Sequence, residues 1–224
     1  MADIESDVLS DQAERLRSGG ASVAEFAIDV SDAAQVAALR EFTLSTFGSV
    51  HLLFNNAGGM TDRLVMTDEG LEANYAGNHL GPLVLTSLLL PLLRAATSGL
   101  PDGAVRILMT SSDASEMIPG IDLDDLQNLA NFSPGLSYCA GKLANVLFAK
   151  GLAVRLAGSG IVAHSMAPGP VASNFYSYAP AETRKHMEHL EMLHVTCSQH
   201  IQLADSTCCV ASLHAPHPQP PASH

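Results

Sequence analysis

Hydrophobic positions along this chain follow two rhythms. Short, mostly apolar runs occur at residues 23–30, 50–54, 105–110 and 161–166, as expected of strands buried on both faces of a parallel sheet. Between them, apolar residues recur at helical spacing. Residues 8–18 predict a short amphipathic helix closed by Gly19 and Gly20. Residues 33–47 predict a second, with Val36, Leu39, Phe42 and Phe47 on one stripe and Asp32 as its cap. Residues 71–96 predict a long third helix. Leu136, Leu143, Val146, Leu147 and Leu152 mark a fourth, which stops near Gly158, Ser159 and Gly160. Strands that alternate with helices predict a parallel sheet with right-handed crossovers. The most apolar stretch, 80–93, is 14 residues long and contains Pro82. A membrane span needs about 20 residues, so this stretch is expected to be a core helix.

Length and composition narrow the class. A chain of 224 residues, 47% hydrophobic and 15% charged, suits one globular domain with a full core. The charge of −12, with 11 basic residues scattered singly, argues against nucleic acid and anionic membrane partners. Cys139, Cys197, Cys208 and Cys209 show no disulfide spacing, and the acidic first residues lack the pattern of a signal peptide. A cytoplasmic location is the expectation. Residues 180–205 can supply a helix. The proline-rich stretch 214–221 cannot be a central strand. The expected division is therefore one domain over 1–205 and a disordered tail over 206–224. His186 with His189, and Cys197 with His200, have spacings a metal can use. They lack any surrounding context for one, so they read as exposed helix residues and no metal site is expected.

The polar residues gather at strand ends. Asp29 closes one run, Asn55, Asn56, Ala57 and Gly58 follow the next, Ser112 follows the third, and Pro168 and Gly169 follow the last. In parallel α/β sheets the ligand crevice lies outside the carboxyl ends of the strands, so residues far apart in sequence converge there. Tyr138 and Lys142 are four apart on a helix and share a face. An ammonium beside a phenol favours the phenolate, and a tyrosine tuned in that way can exchange protons with an alcohol or carbonyl oxygen. Taken singly, each residue also has an ordinary structural role: a helix cap for Asp29, a bend for Asn78, a turn for Ser112.

Five stretches in this order resemble the short-chain dehydrogenase/reductase family. They are Asn55-Asn56-Ala57-Gly58, Asn78-His79-Leu80-Gly81, Ser111-Ser112, Tyr138-x-x-x-Lys142 and Pro168-Gly169-Pro170-Val171. The second and fourth look most like its retinol-dehydrogenase-like branch. The resemblance implies a Rossmann-like, doubly wound parallel sheet. It also implies hydride transfer between NAD or NADP and a small alcohol or carbonyl substrate. By resemblance Tyr138 is the general acid/base, Lys142 tunes it and binds the nicotinamide ribose, Ser112 holds the substrate oxygen, and Asn78 holds a relay water. Asp29 and Val30 flank the adenine, Asn55, Asn56, Ala57 and Gly58 its ribose, and Pro168, Gly169 and Val171 the nicotinamide.

The pattern departs from that family at its start. The glycine-rich turn Thr-Gly-x-x-x-Gly-x-Gly is not found, and Gly19 and Gly20 have no evident strand before them. The expectation is a sheet without its first two strands and its last. The run at 23–30 then either pairs directly with 50–54 or leaves a gap of two strand widths, about 10 Å. Such a gap exposes edges that invite homo-oligomers. The other reading of the chain is an inactive remnant or interaction protein that lacks the cofactor pyrophosphate site.

Overall fold

The computed structural model describes residues 1–169 and 179–185. Strands and helices alternate along it: β1 (Ala2–Asp3), α1 (Ser6–Ser18), β2 (Phe26–Ala27), α2 (Ala33–Phe47) and β3 (Leu52–Asn55). A three-part helix follows, made of α3 (Ala73–Tyr75), a π-turn (Ala76–Leu80) and α4 (Gly81–Ala96). Then come β4 (Val105–Thr110), a 3₁₀ turn (Asp113–Glu116), α5 (Pro134–Arg155) and β5 (Ile161–Met166). Helix starts obey local chemistry. The Asp32 carboxylate accepts from the Ala34 and Gln35 amides at 2.8 and 3.1 Å to open α2, and Gly48 closes it at φ 73°. Ser133 caps α5 ahead of Pro134, where a missing N–H costs nothing.

The main sheet has the order β3-β4-β5, all parallel, with Leu53, Ile107 and Ala163 side by side in register. That level of the sheet, with Val105 and Ile161, packs on Leu89, Leu92 and Leu93 of α4 and Leu152 of α5 to form the core. The alternate positions point the other way, and Leu52 and Phe54 there are 52% and 48% exposed. A smaller cluster joins the N-terminal half to this core. Ile28, Val36 and Leu39 pack against Val84, Leu85 and Leu88 of α4.

The elements α2, β4 and β5 fall where hydrophobic spacing puts them. The run at 23–30 forms ladder pairs only at Phe26–Ala27, where it lies beside Ala2–Asp3. The N-terminus differs from expectation. Ala2–Asp3 pairs in parallel with Phe26–Ala27, so a strand does precede Gly19 and Gly20. At two residues, one of them the acidic Asp3, it is too short to show as an apolar run. In the order 3-2-1-4-5-6, β2 and β1 occupy the third and second places and β3, β4 and β5 the last three. That order leaves the place of one strand between β1 and β3, not two, and residues 23–30 and 50–54 do not pair. A cavity of about 430 Å³ lies in that interval.

The helix from Ala73 to Ala96 spans 24 residues and contains an 18-residue window of mean hydropathy 1.4, by length and composition enough to cross a membrane. Here it packs between α2, β3, β4 and α5. Residues 181–185 are helical. The remainder of the stretch expected to be helical, 186–205, the tail at 206–224 and the His/Cys spacings lie outside the described residues. Among the described residues no group of three His, Cys, Asp or Glu side chains can hold a metal.

Candidate active site

Helix α5 carries the central pair. Tyr138 and Lys142 are both buried, at 8% and 2% exposed. The Lys142 Nζ sits 5.7 Å from the Tyr138 ring centroid and donates to the Thr110 carbonyl at 3.2 Å. Burial pulls the Lys142 ammonium down to about 8, since a low-dielectric site disfavours the charged form. The Tyr138 ring packs with Met60, Ala114 and Ala179. Ala114 belongs to the 3₁₀ turn that Ser112 caps, where the Ser112 hydroxyl accepts from the Ala114 amide at 3.2 Å. The strand-end serine and the phenol are therefore held at the same end of the sheet.

Asn78 lies in the π-turn. A π-turn carries one more residue than the α-helix around it and often marks a functional position. The Asn78 amide donates to the Gly59 and Asn74 carbonyls at 2.8 and 2.9 Å. Its Oδ1 is buried with no protein partner, which is the acceptor a water would take. Gly58 faces this atom closely, because a Cβ there would stand 2.4 Å from Asn78 Oδ1 and 3.7 Å from Lys142 Nζ. Only a residue without a side chain fits that approach.

Two residues not singled out from the sequence complete the frame. Asn145 donates to the Asn78 carbonyl at 2.9 Å and the Thr110 carbonyl at 3.2 Å, and its Oδ1 meets His79 Nδ1 at 3.0 Å. Burial lowers the His79 pKa, partly offset by that contact. Asn145 follows Tyr138 by seven residues, two helical turns on one face, so a signal for it existed. Glu72 is fully buried. Its carboxylate accepts from the Asn74 and Tyr75 amides at 2.9 and 2.8 Å and from the Ser137 hydroxyl at 2.6 Å. It thereby clamps the start of the Asn78 helix to the residue before Tyr138. Ser111 adds a third tie, donating to the Lys142 carbonyl at 2.7 Å.

The other expected residues divide. Asp29 is half-buried at the end of its strand, and its carboxylate accepts from the Ser31 amide and hydroxyl at 2.8 and 2.7 Å. Val30 follows it and abuts Gly81. Asn56 is exposed, as are Ala57 and Gly58, and the Asn56 Oδ1 accepts from Thr110 Oγ1 at 3.0 Å. Asn55 turns inward instead. Its amide donates to Thr86 Oγ1 at 2.9 Å, so its side chain braces β3 against α4. Pro168 and Gly169 are exposed beyond β5, and Val171 lies outside the described residues. Tyr138 and Lys142 could hold the nicotinamide ribose of a dinucleotide, and the exposed backbone of Asn56, Ala57 and Gly58 its adenine-side ribose. For the diphosphate half the described residues supply no glycine-rich helix start.

The short chain dehydrogenase family matches residues 1–184, and the chain belongs to that family. It is 37% identical over 152 residues to human (Homo sapiens) retinol dehydrogenase 12, covering 68% of this chain and 46% of that protein. It is 33% identical over 177 residues to retinol dehydrogenase 11 of Mus musculus, covering 79% and 54%. The similarity places it with the retinol-dehydrogenase-like branch. The chain spans about half the length of these curated relatives. Among solved structures, an alcohol dehydrogenase from Thermococcus sibiricus complexed with 5-hydroxy-NADP shares the fold. Its TM-score is 0.61 at 20% identity, over 87% of this chain and 78% of that one. A gluconate 5-dehydrogenase from Burkholderia cenocepacia J2315, in complex with NADP and tartrate, has TM-score 0.58 at 23% identity, over 79% and 62%.

Proposed function

We propose that the chain is an oxidoreductase that interconverts an alcohol and a carbonyl, with Tyr138 as its general acid/base. The observation that carries this reading is the buried Tyr138–Lys142 pair, tied through the Thr110 carbonyl and Asn145 to Asn78. When bound, NAD or NADP would accept or donate the hydride. The chain's own task is the proton. The Tyr138 hydroxyl gives a proton to the substrate oxygen during reduction and takes it back during oxidation. Lys142, which titrates near 8, is matched to passing that proton onward close to neutral pH. The unpartnered Asn78 Oδ1 leads out of the pair, and a water held there extends the route. Ser112, whose turn meets the Tyr138 ring through Ala114, would receive the substrate oxygen. The names of the similar retinol dehydrogenases favour an apolar alcohol or its aldehyde as substrate.

Binding of the dinucleotide by this sequence is proposed to be weak. Tyr138, Lys142 and the exposed backbone of Asn56, Ala57 and Gly58 would remain to touch the two riboses, but the amides that hold a diphosphate at a helix N-terminus are not among the described residues. Lost contacts worth about 4 kcal/mol lower affinity roughly a thousandfold. Calorimetric titration with NADH and NADPH should give millimolar dissociation constants. Slow turnover of an apolar aldehyde should fall at least about a hundredfold in Tyr138→Phe with cofactor affinity unchanged. Turnover equal in the two proteins would refute the assignment of Tyr138, and micromolar binding would refute the weakness.

We also propose a cytoplasmic location, supported by the packing of the apolar helix into the core. Carbonate washing should release the expressed chain from membranes, and retention would place that helix in a bilayer.

A further inference from the structure

Asn145 holds three parts of the site with one carboxamide. It sits on α5 just under one turn beyond Lys142 and is 1% exposed. Its Nδ2 donates to the Asn78 carbonyl at 2.9 Å and to the Thr110 carbonyl at 3.2 Å, and its Oδ1 lies 3.0 Å from His79 Nδ1. An amide nitrogen carries two hydrogens. Both are committed to carbonyl oxygens, so the contact with His79 takes its hydrogen from the ring. Burial holds the His79 pKa below its ordinary value, and the neutral ring therefore carries its hydrogen on Nδ1 and leaves Nε2 bare. The Thr110 oxygen that takes one of the Asn145 bonds also accepts from Lys142 Nζ at 3.2 Å. The need of the Asn78 carbonyl for a side-chain donor is written in the sequence. In a regular α-helix it would accept from the amide four residues on. That residue is Pro82, which has no N–H.

We propose that Asn145 is a positioning residue for the Tyr138–Lys142 pair: its carboxamide supplies the donor that Pro82 lacks and fixes Asn78 and the Thr110 anchor of Lys142 in one frame. His79 sets which way the carboxamide faces. This role rests on the reading of Tyr138 as general acid/base. Without Asn145 the Asn78 carbonyl loses a donor in a buried place, and the π-turn must shift to satisfy it. The Thr110 oxygen is then held by Lys142 without its second donor, so Asn78 and Lys142 are free to move relative to each other. Asn145 is buried and Ser112 lies on a different turn, so the loss should fall on the rate and not on substrate binding. A residue that only filled space between α5 and the π-turn would be replaced equally well by leucine, which has nearly the same shape and buries no polar group.

The test compares Asn145→Leu, His79→Leu and His79→Asn with the unaltered chain and with Tyr138→Phe. Turnover of an apolar aldehyde is measured with NADH and NADPH at saturating concentration. In Asn145→Leu, kcat should fall about ten- to a hundredfold, while KM for the aldehyde stays within about twofold. An asparagine at position 79 can set its amide nitrogen where Nδ1 stands. His79→Asn should therefore keep at least about half of the turnover, and His79→Leu should lose about tenfold. A second readout needs no cofactor. Nitrogen NMR of the imidazole rings at neutral pH should show the His79 hydrogen on Nδ1, with its signals assigned by their loss in His79→Asn. An Nε2–H ring, an unchanged kcat in Asn145→Leu, equal losses in the two His79 variants, or a KM that rises in step with the fall in kcat would overturn the role. If Asn145→Leu does not fold, the two His79 variants and the ring spectrum decide. A chain without turnover, or one whose turnover survives Tyr138→Phe, removes the reading of Tyr138 and this role with it.

Discussion

At the scale of single residues, Lys142 is held at a cost. Its pKa falls from 10.5 in the unfolded chain to about 8 when buried. Below about pH 8 the folded chain must keep a charged ammonium out of water. Between 8 and 10.5 the folded protein holds fewer protons than the unfolded one, so stability rises with pH across that window. Lys142→Met should therefore raise stability by about 1–3 kcal/mol at pH 7, and the gain should fade above about pH 10. Urea unfolding at the two pH values checks this, and turnover should be lost in the same variant. The pairing of Tyr138 with Lys142 was legible from their four-residue spacing within a helical pattern, taken with the companion stretches around it. The inward turn of Asn55 was not, because sequence does not say which of two adjacent asparagines a strand end sends into the core. Glu72 was hidden for a related reason. A buried carboxylate that caps one helix and grips another reads, in one dimension, as an ordinary charged residue.

At the scale of elements, the helices depend on close backbone approaches. A Cβ on Gly81 would meet the Val30 carbonyl oxygen at 2.1 Å and its carbon at 2.9 Å, and neither is a flexible side-chain end. Gly81→Ala should cost about 1–3 kcal/mol, read as a lower urea midpoint at unchanged slope. It should also disturb the strand end that carries Asp29. The elements most legible in the sequence were those with dense apolar runs or clear caps: β4, β5, α2 and the body of α5. The least legible was β1. Two residues pair there because the chain folds back through α1 to lay Ala2–Asp3 beside Phe26–Ala27, and no local propensity encodes such a contact. The π-turn within the long helix was equally silent, since apolar spacing barely registers one extra residue.

At the scale of the whole molecule, the two sheets are linked through helix packing. The cluster of Ile28, Val36 and Leu39 against Val84, Leu85 and Leu88 is smaller than the core around Leu93 and Ile107. Protection against amide exchange should follow that difference. Val105–Thr110 and Ile161–Met166 should exchange slowest, and Phe26–Ala27 should exchange at least about a hundredfold faster. Hydrogen exchange followed by mass spectrometry checks the ordering, and uniform protection would show a single cooperative unit. The π-turn gives the molecule one further property, which concerns angular phase. Each residue of an α-helix advances about 100° around the axis and 1.5 Å along it. Asn74 must reach Thr61 and Asn78 the Gly59 carbonyl and Gly141 of α5, while Leu89 and Leu93, further along the same rod, must point at β3 and β4. The extra residue in Ala76–Leu80 is the offset that lets one continuous helix satisfy both bearings. Deleting a residue there would restore a regular helix and rotate one end against the other. The core, with more area at stake, would keep α4 in place, and Asn78 would swing away from Lys142.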